Sequence, residues 1–428
     1  MKGNLPPLPT LFTKSRRAAS TILLSSLLAG TALSAQASAN SQAALNSPGL
    51  TTISQNTTNL SQISQIFSPQ PTGRSTQLDY DILQSAFDGT VIYLGPSARR
   101  HMGLPSFYRQ TQGRISKGHR SPYRLEGSRV GFSFFETGFI EELSAYRKDL
   151  EELATREDIT TLHKDEQLAF WFNLHNVAMI EHIATQYPVR RPSTIKINGQ
   201  PLHDAKIINI KNTSLSLRDI REKIVYTHWD DPKVMYGFFH GDIGSPALQD
   251  VPYHRDNLHS ELRYQAEDFV NSLRGFNITK GERRISRHYL DAAPYFFPNF
   301  EQDLTAHMVK YARPEVGSEI RQDLPFVQDR YDDIIADMVG GDRPRTAGFF
   351  VESAADGDTI STFSTQQVLG IPSEARSLIR EVRRKLEVLR ERDIIGPTSG
   401  QTSIEDIETD DGIDGNDYED TPFLPGSE

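Results

Sequence analysis

The chain has 428 residues, with 46 Lys and Arg against 56 Asp and Glu, a formal net charge of −10, and no cysteine. The lack of thiols excludes disulfides, thiolate metal sites, a cysteine nucleophile and lipid attachment through an amino-terminal cysteine, so stability must come from a packed core. The acidity is concentrated at one end, where residues 401–428 hold ten acids and no Lys or Arg, and overall charge therefore says little about a partner.

Lys14, Arg16 and Arg17 precede the apolar run Thr21-Ile-Leu-Leu-Ser-Ser-Leu-Leu-Ala-Gly-Thr-Ala-Leu33, and small residues follow at Ala35, Ala37 and Ala39. Charged, apolar and cleavable segments in that order make a secretory signal, and the run is shorter than the about 20 residues of a membrane span. A signal peptide is expected over residues 1–39, cut after Ala37 or, preferably, after Ala39. The mature product is then extracytoplasmic, periplasmic or secreted, with no transmembrane segment, and export argues against nucleic acid as a partner. Residues 40–77 are Ser, Thr, Asn, Gln and Ala with scattered Leu and Ile, the composition of a disordered linker.

Patterned sequence begins at Leu78. Apolar residues at helical spacing predict helices over 139–156, 164–187, 258–273 and 300–311. Between them lie two β-prone stretches, 194–199 and 206–210, a helix over 216–226 capped by Ser216, and Val234-Met-Tyr-Gly-Phe-Phe239 as a buried strand. Strands this few, separated by helices without regular alternation, predict an α+β class: one helix-rich domain with a small sheet over 78–312. A helical extension over 313–400 follows, with pieces at 331–338 and 373–392, and then a disordered acidic tail over 401–428. The stripe Leu378, Val382, Leu386, Leu389 suits packing on the domain or against a partner helix. A calcium-loop reading of the tail from Asp410 fails at Gly412 and Thr421.

Four segments carry the strongest signal: Leu168-Ala-Phe-Trp-Phe-Asn-Leu-His-Asn-Val-Ala178, Leu215-Ser-Leu-Arg-Asp-Ile-Arg-Glu222, Met235-Tyr-Gly-Phe-Phe-His-Gly-Asp-Ile-Gly-Ser-Pro-Ala-Leu248, and residues 258–269. In that order and spacing the chain resembles the domain-of-unknown-function 547 family over residues 78–304. The resemblance implies a papain-like or transglutaminase-like cleft of Cys, His and Asn residues. Its cysteine position falls on Ser245 and its histidine position on Glu222, while Asn173 and Asn176 match.

A serine hydroxyl needs a positioned base, which Glu222 supplies poorly. If chemistry survives, His240 is the candidate base, oriented by Asp242 or Glu222, with the N–H groups of Gly241 and Gly244 as an oxyanion hole. The competing expectation is that Ser245-Pro246 only shapes a loop and the cleft has decayed. Asn173 and Asn176 lie one turn apart on an apolar helix, so they are expected to pin a neighbouring loop through its backbone, with substrate orientation by Asn176 as the alternative.

His175, His182 and Glu181 share a helix, but one helix cannot close a metal site, and no metal or cofactor is expected. Residues 99–129 hold Arg99, Arg100, Arg109, Arg114, Lys117, Arg120, Arg124 and Arg129 against Glu126 alone, either a solvated insertion or an anion-binding loop. Two functions stay open. One is a non-catalytic envelope protein that binds an anionic or peptide-like component through a degenerate cleft and the basic loop. The other is a serine-based acyl hydrolase or transferase using Ser245 and His240.

Overall fold

The computed structural model of the chain describes residues 62–101, 119–329, 331–342 and 373–395. The signal peptide, most of the linker, the acidic tail, and Arg109, Arg114 and Lys117 lie outside the described residues.

The linker boundary moves. A helical turn at 62–66 seats Ile63 and Phe67 in the core, with Phe67 edge-on to Trp171 at 5.3 Å between ring centroids. Gln70 and Thr72 N–H groups then donate to the carbonyls of Thr160 and Thr161. Two apolar side chains in an otherwise polar stretch are enough to tie it down, because each removes a large apolar area from water.

Helix α1 (Asp81–Asp88) leads into β1 (Val91–Tyr93), which pairs antiparallel with β2 (Ser128–Val130) across the basic insertion. Helix α2 (Thr137–Arg156) packs on α3 (Lys164–Thr185). Helix α3 is apolar on every side and buried almost throughout, so it forms the axis of the domain rather than a face of it. Arg147 of α2 pairs with Glu181 of α3, holding the two helices together.

Two antiparallel hairpins follow, β3 (Lys196–Ile197) with β4 (Gln200–Pro201) and β5 (Ile208–Ile210) with β6 (Thr213–Leu215). Their turns, Asn198-Gly199 and Lys211-Asn212, have positive φ at both central residues, the hand that matches strand twist. Ser216 then starts the next helical stretch: its hydroxyl accepts from Asp219 N–H at 3.1 Å, and the Asp219 carboxylate accepts from Ser216 N–H at 2.8 Å. That reciprocal cap opens a π-helical segment, Asp219–Val225, continued by a short α-turn, Tyr226–His228. The buried strand expected at 234–239 is instead a 3-10 helix, Pro232–Gly237, that becomes extended only at Phe238.

Helix α4 (Leu258–Val270), strands β7 (Phe276–Thr279) and β8 (Glu282–Ile285), and helices α5 (Arg287–Phe296), α6 (Phe300–Tyr311) and α7 (Pro314–Ile320) complete the core. Strand β9 (Phe326–Gln328) joins β8 in parallel. The predicted boundary at 312 therefore does not separate two bodies, since Val316, Ile320 and Ile335 are buried with the rest. Nor is 331–338 a helix. It runs extended, bridging Asp242 through Ile335 and Val130 through Asp337. With sheets of only two and three strands among helices, the class is α+β.

Helix α8 (Ser373–Glu391) lays Leu378, Val382, Leu386 and Leu389 on Leu94, Leu125, Met338 and Val339, so its stripe packs on the domain. Arg124 forks onto Glu381 at 2.7 and 2.9 Å. The Lys385 ammonium spends its three hydrogens on the carbonyls of Leu94, Gly95 and Leu125, at 2.6, 3.1 and 2.7 Å.

Candidate functional site

The two asparagines of α3 build the site's frame. Asn173 accepts from Tyr253 N–H at 3.0 Å and donates to the Tyr253 carbonyl at 2.8 Å. One turn on, Asn176 accepts from Phe239 N–H at 2.9 Å and donates to the Gly237 carbonyl at 3.0 Å. Each side-chain amide acts as a piece of backbone would, satisfying buried groups that have no strand beside them. They fix both ends of the segment that carries His240, Asp242 and Ser245.

The middle of that segment is held from the other side. Ile243 and Gly244 N–H groups donate to the Ile334 and Asp332 carbonyls at 2.9 and 2.8 Å, and Ala336 N–H donates to the Gly241 carbonyl at 2.9 Å. Gly244, one of the two expected oxyanion donors, thus has its hydrogen committed to Asp332. Ser245 is fully buried, and its hydroxyl donates to the Asp242 carbonyl at 3.0 Å, with the Pro246 carbonyl at 3.4 Å. Arg274 closes the far side by donating to the carbonyls of Ile243 and Ser245. Ser245 and His240 are therefore not joined as a hydroxyl–imidazole pair. Glu222 sits apart as well, engaged by Arg218 at 3.1 Å and Tyr295 at 3.5 Å.

What the fold does assemble is a cleft of about 330 Å³ lined by Ser193, His203, Arg218, Arg221, His240, Asp242, Arg287, His288, Asp291, Tyr331 and Asp333. His240 lies between His203 and His288, with ring centroids 5.2 and 5.3 Å away. Its Nε2 is buried with no hydrogen-bond partner among the described residues. Burial holds the imidazoles of His175, His203 and His240 well below their ordinary pKa, with the Arg221 charge adding to it. Burial likewise lowers His288 to about 3. Asp242 accepts from Tyr331 Oη at 2.7 Å and Ser245 N–H at 3.0 Å, yet burial outweighs both bonds and lifts it to about 7.

Arg221, on the π-helical segment, is 6% exposed. Its Nη1 contacts Nε2 of His175 at 2.9 Å and Nδ1 of His203 at 3.3 Å. A guanidinium only donates, so both imidazole nitrogens must accept. The proton of His175 then lies on Nδ1, 3.0 Å from the Asn176 carbonyl oxygen that receives it, and the proton of His203 lies on Nε2. No carboxylate among the described residues forms an ion pair with Arg221; Glu222 and Asp291 act on it only from farther away.

A family model described as "Protein of unknown function, DUF547" matches residues 159–270, a span that contains all four motif segments. The chain contains a DUF547 domain. No curated protein and no solved structure matches it significantly. The DUF547 segment supplies Asn173, Asn176, His203, Arg221, His240 and Asp242, whereas Arg287, His288, Asp291, Tyr331 and Asp333 come from beyond it. Of the cleft lining, sequence reasoning named only His240 and Asp242. Arg221 carried a legible signal: a charge among Ile220, Ile224 and Val225, all buried, needs a reason to be there. In the basic insertion, Arg99 pairs with Glu319 at 2.6 Å and Arg124 with Glu381, and Arg100 and Arg120 are also engaged. Arg99 and Arg124 thus have structural partners outside the cleft. His175 and His182 serve Arg221 and the Ala178 carbonyl respectively, and no group of three His, Asp or Glu among the described residues is arranged to hold a metal ion.

Proposed function

We propose that the protein is exported and non-catalytic, and that its cleft at His240 receives an anionic or peptide-like component of the cell envelope. The observation that carries this reading is the state of Ser245. Its hydroxyl is buried and donates its hydrogen to the Asp242 carbonyl of its own loop, so it has neither the exposure nor the base that nucleophilic attack requires. The signal pattern of residues 1–39 supports export.

The test is activity profiling of the purified chain with a fluorophosphonate probe and a panel of activated esters, with Ser245→Ala alongside. Wild type should remain unlabelled and the variant should behave identically. Stoichiometric labelling that disappears in Ser245→Ala would instead establish the serine acyl hydrolase or transferase reading. For export, amino-terminal sequencing should find the mature chain beginning between Gln36 and Asn40, and a product retaining Met1 would refute it.

A further inference from the structure

A buried charge is retained at a cost of several kcal/mol unless it is paired, and Arg221 is a buried cation of the cleft that forms no ion pair among the described residues. Two hydrogens of its guanidinium, those on Nη1, face His175 and His203. The remaining edge, Nε and Nη2, has no acceptor among the described residues, and the residue lines the cleft. That edge is the fork that matches the two oxygens of a carboxylate. His203, whose Nδ1 is occupied by Arg221, presents its Nε2 proton as a further donor in the same cleft.

We propose that the cleft holds one monoanionic carboxylate, the acid group of a small molecule such as a short peptide with a free C-terminus, on Arg221 and His203. This rests on the reading of the cleft as a non-covalent binding site. The pattern of ion pairs selects the class. Arg218 is matched by Asp204 and Glu222 at 2.5 and 3.1 Å, and Arg287 by Asp291 at 3.3 Å. Asp333 is matched by Arg191 at 2.9 Å. Of the three arginines that line the cleft, Arg221 alone has no carboxylate partner among the described residues, so its open fork is the place for one. A dianion such as phosphate would bring a second charge, for which the cleft lining holds no further unpaired arginine among the described residues. The size agrees, since about 330 Å³ lies at the small end of ligand pockets, which run about 300–1,000 Å³.

The experiment is isothermal titration of the full mature chain with N-acetyl-dialanine acid, its C-terminal amide and inorganic phosphate, on wild type, Arg221→Met, Arg221→Lys and His203→Phe. The acid should bind wild type at least tenfold more tightly than the amide or phosphate. Arg221→Met should lose at least tenfold, Arg221→Lys less because it keeps the charge without the fork, and His203→Phe several-fold. Without ligand, Arg221→Met should melt at or above wild type, because it removes an uncompensated buried cation. A variant that melts well below wild type would mark the guanidinium as structural and sink the proposal. Equal binding of acid and amide, or no binding of the acid, overturns it too. Preferential phosphate binding through Arg221 overturns the carboxylate class while leaving the binding reading intact. Labelling of Ser245 by the fluorophosphonate probe strikes that underlying reading instead.

Discussion

Asp242 and the imidazoles around it pull the pH dependence of stability in opposite directions. Asp242, at about 7, and Asp337, at about 6, hold protons in the folded state that an unfolded aspartate releases near 3.9. Their contribution to stability is full below about pH 4 and is lost as pH rises through 6 to 7. The histidines do the reverse: His175, His203, His240 and His288 are neutral when folded and gain a proton on unfolding anywhere below about 6.5. With His119, His182 and His307 also held down and Glu166, Asp250 and Glu261 also held up, seven imidazoles stand against five carboxyls, so the melting temperature should fall as pH drops from 6.5 to 4. Asp242→Asn should make that fall steeper by removing one of the opposing groups. Calorimetry across this window decides it, and a flat profile for wild type would contradict the neutral imidazoles. At this scale the sequence was only partly legible. His240 and Asp242 could be named from their motif, but the direction of the Ser245 hydroxyl depends on Asp242, Asp332 and Arg274 acting together, and no local pattern encodes that.

The elements most readable in the sequence are those whose pattern is set by their own burial. Helices α2, α3, α4 and α6 lie within a few residues of their predicted spans because apolar spacing and burial coincide along them. The misread segments take their backbone partners from elsewhere. Residues 234–239 look like a strand by composition, yet Gly237 and Phe239 bond to a side chain, Asn176, rather than to a neighbouring strand. Residues 331–338 have helix-like spacing, but their backbone is committed to Arg190, Gly241, Ile243 and Gly244. The asparagine clamp should therefore be costly to break. Asn173→Ala leaves the buried N–H and carbonyl of Tyr253 unpaired and should lower stability by about 2–4 kcal/mol in urea titration. Gly241 offers a second check. Its φ is +86° and an added Cβ would run into Ile183 and Pro192, so Gly241→Ala should cost about 2–4 kcal/mol by strain and overpacking. If either change is silent, the loop is not held as described.

Across the whole molecule, α8 and the cleft are separable. Among the described residues none of α8 lines the cleft, and its apolar stripe covers a small cluster distinct from the main core. A chain ending at residue 372 should therefore keep its cleft affinity for the acetylated acid while melting at lower temperature and binding a hydrophobic dye at the uncovered Leu94 and Leu125. Loss of affinity in that truncation would mean that α8 supports the site after all. In the full chain, Lys385→Met should leave three buried carbonyls without a donor and speed amide hydrogen exchange across residues 373–391, with exchange in α3 unchanged. Packing of α8 on the domain was one of two readings open in the sequence. Its anchor was not readable, because the carbonyls that Lys385 meets lie far upstream in the chain.

Tyr331 and Asp333, which finish the cleft, also set a clock. After His240 is made, the chain must grow by roughly ninety residues, about 5–20 s of synthesis at ordinary elongation rates, before the backbone that zips Gly241 to Gly244 exists. Throughout that interval the loop has one of its two walls. Only a polypeptide made at least through Asp333, and closed on itself, has both walls of the cleft.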